Sequence, residues 1–217
     1  MPAAIARPHV AQAPAIVMIP SIFGLDDDMR AKADAFAAAG FIAVALDVFW
    51  RGDGGALSAD DASENARARK RNDVFDTDLG IADIAAAARY LAGEAAYNGR
   101  YAVVGYCFGG RFAFLAAARL APAAVVSFHG SHVGDHLDEA AAVTAPLSFH
   151  YGDSDPVAPM AEIEAVRAAL GHNAAAEVYV YPGIGHNFTN PARPTYDAGV
   201  SMTAMQRALR VLDALKT

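Results

Sequence analysis

Short, almost wholly apolar runs recur along the chain at residues 15–19, 42–46, 101–104, 124–128, 147–151 and 177–181. They lack the apolar–polar alternation of a half-exposed strand and suit strands buried on both faces. Stretches with helical periodicity separate them. Asp26 to Asp28 place acid at the start of a helix over 29–39, which Gly40 stops. Asp76 or Thr77 can cap a helix over 78–92, in which Leu79, Ile81, Ile84, Ala88 and Leu91 recur at largely helical spacing. Further helices are expected after Gly110, over 160–170 and over 196–215. Residues 1–14 carry no expected element, and Asn98-Gly99 reads as a turn feeding the strand at 101–104. Strands alternating with helices predict one doubly wound α/β domain over 1–217: a mostly parallel sheet with helices on both faces, a three-layer sandwich.

Composition narrows the function. The 217 residues are 54% apolar, enough to fill a core of this kind, and the formal net charge is −7. An acidic balance argues against nucleic acid or an anionic membrane as partner. The N-terminal residues lack a signal peptide's charged region and apolar core, and no apolar run nears the roughly 20 residues of a membrane span. A cytoplasmic protein, monomeric or weakly dimeric, is expected. The single cysteine rules out an internal disulfide and a multi-cysteine metal centre.

That cysteine lies in Gly105-Tyr106-Cys107-Phe108-Gly109-Gly110, between a strand and an apolar helix. The spacing fits a sharp strand-to-helix turn that holds a nucleophile in strained backbone at the carboxyl end of its strand. The helix N-terminus behind it favours thiolate. Two later loops follow apolar strands: Gly152-Asp153-Ser154-Asp155-Pro156 and Gly183-Ile184-Gly185-His186-Asn187. A thiol needs an imidazole to take its proton, and the imidazole needs a carboxylate to fix its tautomer. Cys107, His186 and Asp155 are therefore the candidate catalytic residues; Asp153 is the rival acid, disfavoured because Asp155 sits deeper in its loop. The oxyanion donors are expected to be the backbone N–H groups of Phe108 and of Ile22, in the loop after the first strand.

The elbow, the Ile22-Phe23-Gly24 loop, Asp155 and His186, in that chain order, resemble the dienelactone hydrolase family of α/β-hydrolases along nearly the whole chain. The resemblance implies hydrolysis of a small ester or lactone through a thioester, without metal or cofactor. Two positions depart from the family pattern. Ser21 stands where the family has a thiol-activating glutamate, and Asn190 where it has an arginine that holds the substrate carboxylate. A second family arginine falls at Asn65, with Arg67 and Arg69 nearby, so no carboxylate anchor is assigned. With Ser21 in place of the glutamate, His186 alone is expected to activate Cys107, giving a resting thiolate–imidazolium pair.

Ser21, Phe23, Trp50, Arg51, His129 and Phe188 are the expected pocket residues, since they flank the catalytic positions or end strands on the same sheet edge. Residues 64–73 read as a helical or irregular segment whose basic run, Arg67 to Arg71, is a solvated face. His129, His132 and His136 are spaced poorly for a metal, and none is expected. Two other functions remain open on the same scaffold: a thiol redox sensor or binding protein without hydrolysis, and an acyl transferase.

Overall fold

The computed structural model describes residues 1–217. Seven strands form one sheet: β1 (Ala3–Ala6), β2 (Ala13–Ile19), β3 (Ile42–Leu46), β4 (Tyr97–Tyr106), β5 (Ala124–Phe128), β6 (Leu147–Gly152) and β7 (Ala176–Tyr181). Their order across the sheet is β1-β3-β2-β4-β5-β6-β7. Only β1 runs antiparallel to its neighbour; every other pair is parallel.

The apolar runs are continuous because each strand feeds two cores. On β2, Ala15, Val17 and Ile19 point to one face of the sheet while Ile16 and Met18 point to the other. Helices α1 (Asp27–Ala38) and α6 (Ala198–Asp213) cover one face through Met29, Ala33, Phe36, Ala204, Ala208 and Leu212. Helices α3 (Thr77–Leu91), α4 (Gly109–Arg119) and α5 (Met160–Ala169) cover the other. Carboxylates start the helices as read: Asp26 accepts the Met29 N–H at 2.9 Å and Asp76 the Leu79 N–H at 3.0 Å. None of the helices is long and apolar enough to cross a membrane.

Four differences from the sequence reading have local causes. The alanine-rich lead forms the short edge strand β1, paired to β3 from Ala3–Leu46 to Ala6–Ala43. Asn98-Gly99 is no turn before β4 but lies inside it, at a register shift where Gly99 has φ +89°. Residues Gly134–Ala142 form a 3-10 segment that no periodicity announced. The segment expected over 64–73 is α2 (Ala62–Asp73), capped by Asp61, but its basic run is not wholly solvated: Arg71 is buried, and Ala68 packs on Phe23 and Leu57 above the carboxyl edge of the sheet. In parallel sheets ligands bind at that edge.

Candidate active site

Cys107 sits between β4 and α4 with φ +52°, a left-handed conformation that costs a residue with a Cβ about 1–3 kcal/mol. Its surroundings hold it there. The Cys107 N–H donates to Phe128 O at 3.1 Å, and its carbonyl accepts from Gly110 at 2.8 Å and Ser131 at 3.1 Å. Glycine is required on both sides. A Cβ on Gly105 would lie 2.0 Å from Gly109 O, and one on Gly109 would lie 2.2 Å from Ile19 O. The Phe108 ring is buried among Phe49, Phe75 and Phe112, which fixes the peptide that follows the cysteine. Of the five non-glycine residues with positive φ, Cys107, His132 and Asn187 border one cleft and His129 lies beside it.

His186 follows β7. Its Nδ1 pairs with Asp155 Oδ2 at 2.7 Å, while its Nε2 is buried with no hydrogen-bond partner. Asp155 is 3% exposed, and its other oxygen accepts the N–H groups of Val157 and Ala158. Asp153 points elsewhere, accepting from Ser154 and from the Gly183 N–H, so it shapes the loop rather than the imidazole. Thr195 donates to the His186 carbonyl and holds the loop down.

Cys107 and His186 border one cleft of about 570 Å³, together with Ile22, Phe23, Ser131 and Asn187. Burial pushes the Cys107 thiol up, but the His186 charge, the Phe108 N–H and Ser131 outweigh it and leave the thiol below its ordinary value. Burial pulls His186 down, yet the facing Cys107 and the Asp155 carboxylate carry it up to about 10. Both directions favour charge separation. Neither the Ile22 nor the Phe108 N–H donates to a backbone carbonyl; Ile22 borders the cleft, and the Phe108 N–H lies against the Cys107 sulfur.

Five expected pocket residues do not line this cleft. Trp50 Nε1 and the Arg51 guanidinium both turn to Asp83 on α3, a carboxylate with 4% exposure that needs partners. Ser21 Oγ accepts the Phe23 N–H and faces a small polar niche with Tyr106 and Thr189. Phe188 is fully buried against Tyr181. His129 is buried behind His186, ring edge to ring face with centroids 5.1 Å apart, and bonds Thr189 Oγ1 at 2.9 Å. Burial, the His186 charge and the Lys32 charge hold His129 well below the ordinary imidazole value, so it stays neutral. His132 Nδ1 pairs instead with Asp135 at 3.0 Å.

The Dienelactone hydrolase family pattern matches residues 1–216. The chain belongs to the dienelactone hydrolase family. Carboxymethylenebutenolidase of Pseudomonas putida is 32% identical over 99% of this chain and 92% of its own. Carboxymethylenebutenolidase 1 of Cupriavidus pinatubonensis is 31% identical over 97% and 90%. A Klebsiella pneumoniae crystal structure, provisionally described as a dienelactone hydrolase, superposes with a TM-score of 0.86 at 27% identity, covering 98% and 92% of the two chains. The chain is a hydrolase with the α/β-hydrolase fold.

In this dienelactone hydrolase family protein the cleft is lined by polar and apolar side chains together. Sequence reading missed Asn72, Ser131, His132, Val157, Asn187 and Arg193 as lining residues and left Arg69 on a solvated face. The basic run divides by helix phase. Arg67 and Arg71, one turn apart, both face the 53–55 segment, Arg67 pairing with the Asp53 carboxylate and buried Arg71 donating to the Asp53 carbonyl. Arg69 borders the cleft without a salt bridge, its Nε on Asn65. The signal for Arg69 was present but unphased. Arg193 carried none, because its approach depends on how the loop after His186 folds back.

Proposed function

We propose that this hydrolase opens small esters or lactones bearing an acidic group, through a thioester on Cys107. The observation that carries the reading is the convergence of Cys107, on its strained elbow, and the Asp155-paired His186 on one cleft.

In the first step the Cys107 thiolate attacks the carbonyl carbon, and the carbonyl electron pair moves to oxygen. The N–H groups of Ile22 and Phe108 stabilise that oxyanion. Collapse breaks the bond to the leaving alkoxide, which takes the proton from His186 Nε2; in a lactone it stays tethered to the acyl group. Neutral His186 then removes a proton from water, whose oxygen attacks the thioester. Collapse returns the thiolate and the free acid. Asp155 holds the imidazole tautomer throughout.

Ser21 leaves His186 as the group that ionises Cys107. Alkylation by iodoacetamide, followed against pH, is expected to rise with a midpoint below the unperturbed thiol value of about 8.5. The sign follows from the thiol being lowered and the imidazole raised, so the ion pair occupies the window between them. A midpoint at or above about 8.5 contradicts the pair.

Two guanidinium groups support an acidic substrate. Arg193 is largely buried over the Phe23 ring, and the one carboxylate within 4 Å of it is exposed Asp60, at 3.6 Å. Arg69 has no carboxylate partner at all. A charge-assisted contact is worth about 1.5–3 kcal/mol. Arg193→Gln is therefore expected to raise KM for a carboxylate-bearing lactone by roughly 10- to 100-fold. KM for p-nitrophenyl acetate, which has no carboxylate, stays unchanged. Equal effects on both substrates would remove Arg193 as the anchor.

A further inference from the structure

Arg71 has no part in the steps above, and its placement is costly. Its side chain leaves α2 inward and is 5% exposed, with the guanidinium 4.0 Å above the Phe49 ring. Burial lowers it to about 10, so it remains a cation at neutral pH. No carboxylate bonds it. Its partners are three carbonyls: Nε donates to Ile22 O at 2.8 Å, and Nη1 donates to Asp53 O at 2.8 Å and Gly55 O at 3.0 Å. Nη2 is buried without a partner. A residue needed only to fill this space would be apolar, because burying a charge is expensive.

We propose that Arg71 is the positioning residue of the oxyanion loop, locking the Ile22 backbone so that the Ile22 N–H faces the reacting carbonyl. The proposal rests on the hydrolase reading above. The Ile22-Phe23-Gly24 loop has four other hydrogen-bond restraints: Leu57 N–H donates to Phe23 O at 2.9 Å, Phe23 N–H to Ser21 Oγ at 3.2 Å, Gly24 N–H to Ser21 O at 3.0 Å and Asp26 N–H to Gly24 O at 3.0 Å. None holds the Ile22 carbonyl. Arg71 alone ties that carbonyl to the 53–55 backbone, a platform that Asp47 anchors by accepting the Gly55 N–H at 2.8 Å. Gly24 allows the approach: with φ +79°, any Cβ there would meet Gly55 O at 2.6 Å and Arg71 Nη2 at 2.8 Å. Without the guanidinium, the peptide after Ile22 loses its donor and can rotate. The neighbouring peptide that carries the Ile22 N–H moves with it.

The test compares Arg71→Met and Arg71→Lys with wild type on an ester that wild type turns over. Thiol alkylation by iodoacetamide is measured in parallel, since it needs the thiolate but no oxyanion hole. Arg71→Met is expected to lower kcat on the order of 10²-fold, the scale of losing one oxyanion donor. KM and the pH profile of alkylation stay at wild-type values, and Arg71→Lys, which keeps a cation and one reach to Ile22 O, recovers part of the loss. Should Arg71→Met fail to fold, Arg71→Lys carries the test alone, with a smaller kcat loss at unchanged alkylation. Wild-type kcat in the variant that folds overturns the proposal, as does a fall of kcat and alkylation together. Failure of the hydrolase reading looks different: wild type itself would form no acyl adduct on Cys107.

Discussion

A His186→Ala variant is expected to lose ester turnover by a factor on the order of 10⁴ to 10⁶ while retaining its fold. The imidazole supports both halves of the proposed cycle. It takes the thiol proton, returns it to the leaving alkoxide and then activates water, so no step survives its removal intact. Its loss also changes the nucleophile. The His186 charge is the main influence opposing burial at Cys107, and without it burial drives the thiol up. Alkylation in the variant therefore shifts to higher pH as turnover collapses. The fold is spared because Asp155 keeps the Val157 and Ala158 N–H groups, and the loop keeps its Thr195 contact to the residue 186 carbonyl. Initial rates on p-nitrophenyl acetate, with circular dichroism for structure, measure both parts. Turnover within about tenfold of wild type would show that another base serves Cys107.

Gly105→Ala is expected to have the largest effect on stability. A methyl at that position would stand 2.0 Å from Gly109 O and 2.8 Å from Gly110 N. Both are backbone atoms of the elbow and the first turn of α4, so relief requires β4 and α4 to separate. Overpacking of side chains costs about 1–3 kcal/mol, and a backbone clash of this kind belongs at or beyond that upper end. For a chain of this size a loss of about 3 kcal/mol lowers Tm by roughly 6–12 °C. Gly52→Ala is the control, because a Cβ there meets nothing within 4 Å. Thermal melting of both variants checks the pair, and equal Tm values would contradict the packing assigned to the elbow.

The sheet was legible because strands such as β2 and β3 are apolar at every position, a pattern that only burial on two faces explains. The edge strand β1 escaped notice: four residues, three of them alanine, carry little β signal, and pairing to β3 supplies what propensity lacks. At the candidate site, the loops after apolar strands that carry Cys107, Asp155 and His186 were legible, and the structure brings Cys107 and His186 to one cleft with Asp155 on the imidazole. The direction of a side chain beyond a strand end was not. Trp50 and Arg51 leave the edge expected for a pocket, yet Asp83 on α3, more than thirty residues on, captures both. Arg69 and Arg71 sit two positions apart in one basic run. Helix phase sends one to the cleft and the other beneath the Ile22 loop, a separation that composition cannot express.

The central claim, that Cys107 carries the acyl group, is tested most directly by intact-protein mass spectrometry on reactions quenched during turnover of dienelactone, simple lactones and p-nitrophenyl esters. The account predicts a transient mass increase equal to the acyl group, located on Cys107 and absent in Cys107→Ala, which also loses turnover. Hydrolysis that persists in Cys107→Ala, or wild-type turnover with no adduct at any quench time, would contradict it.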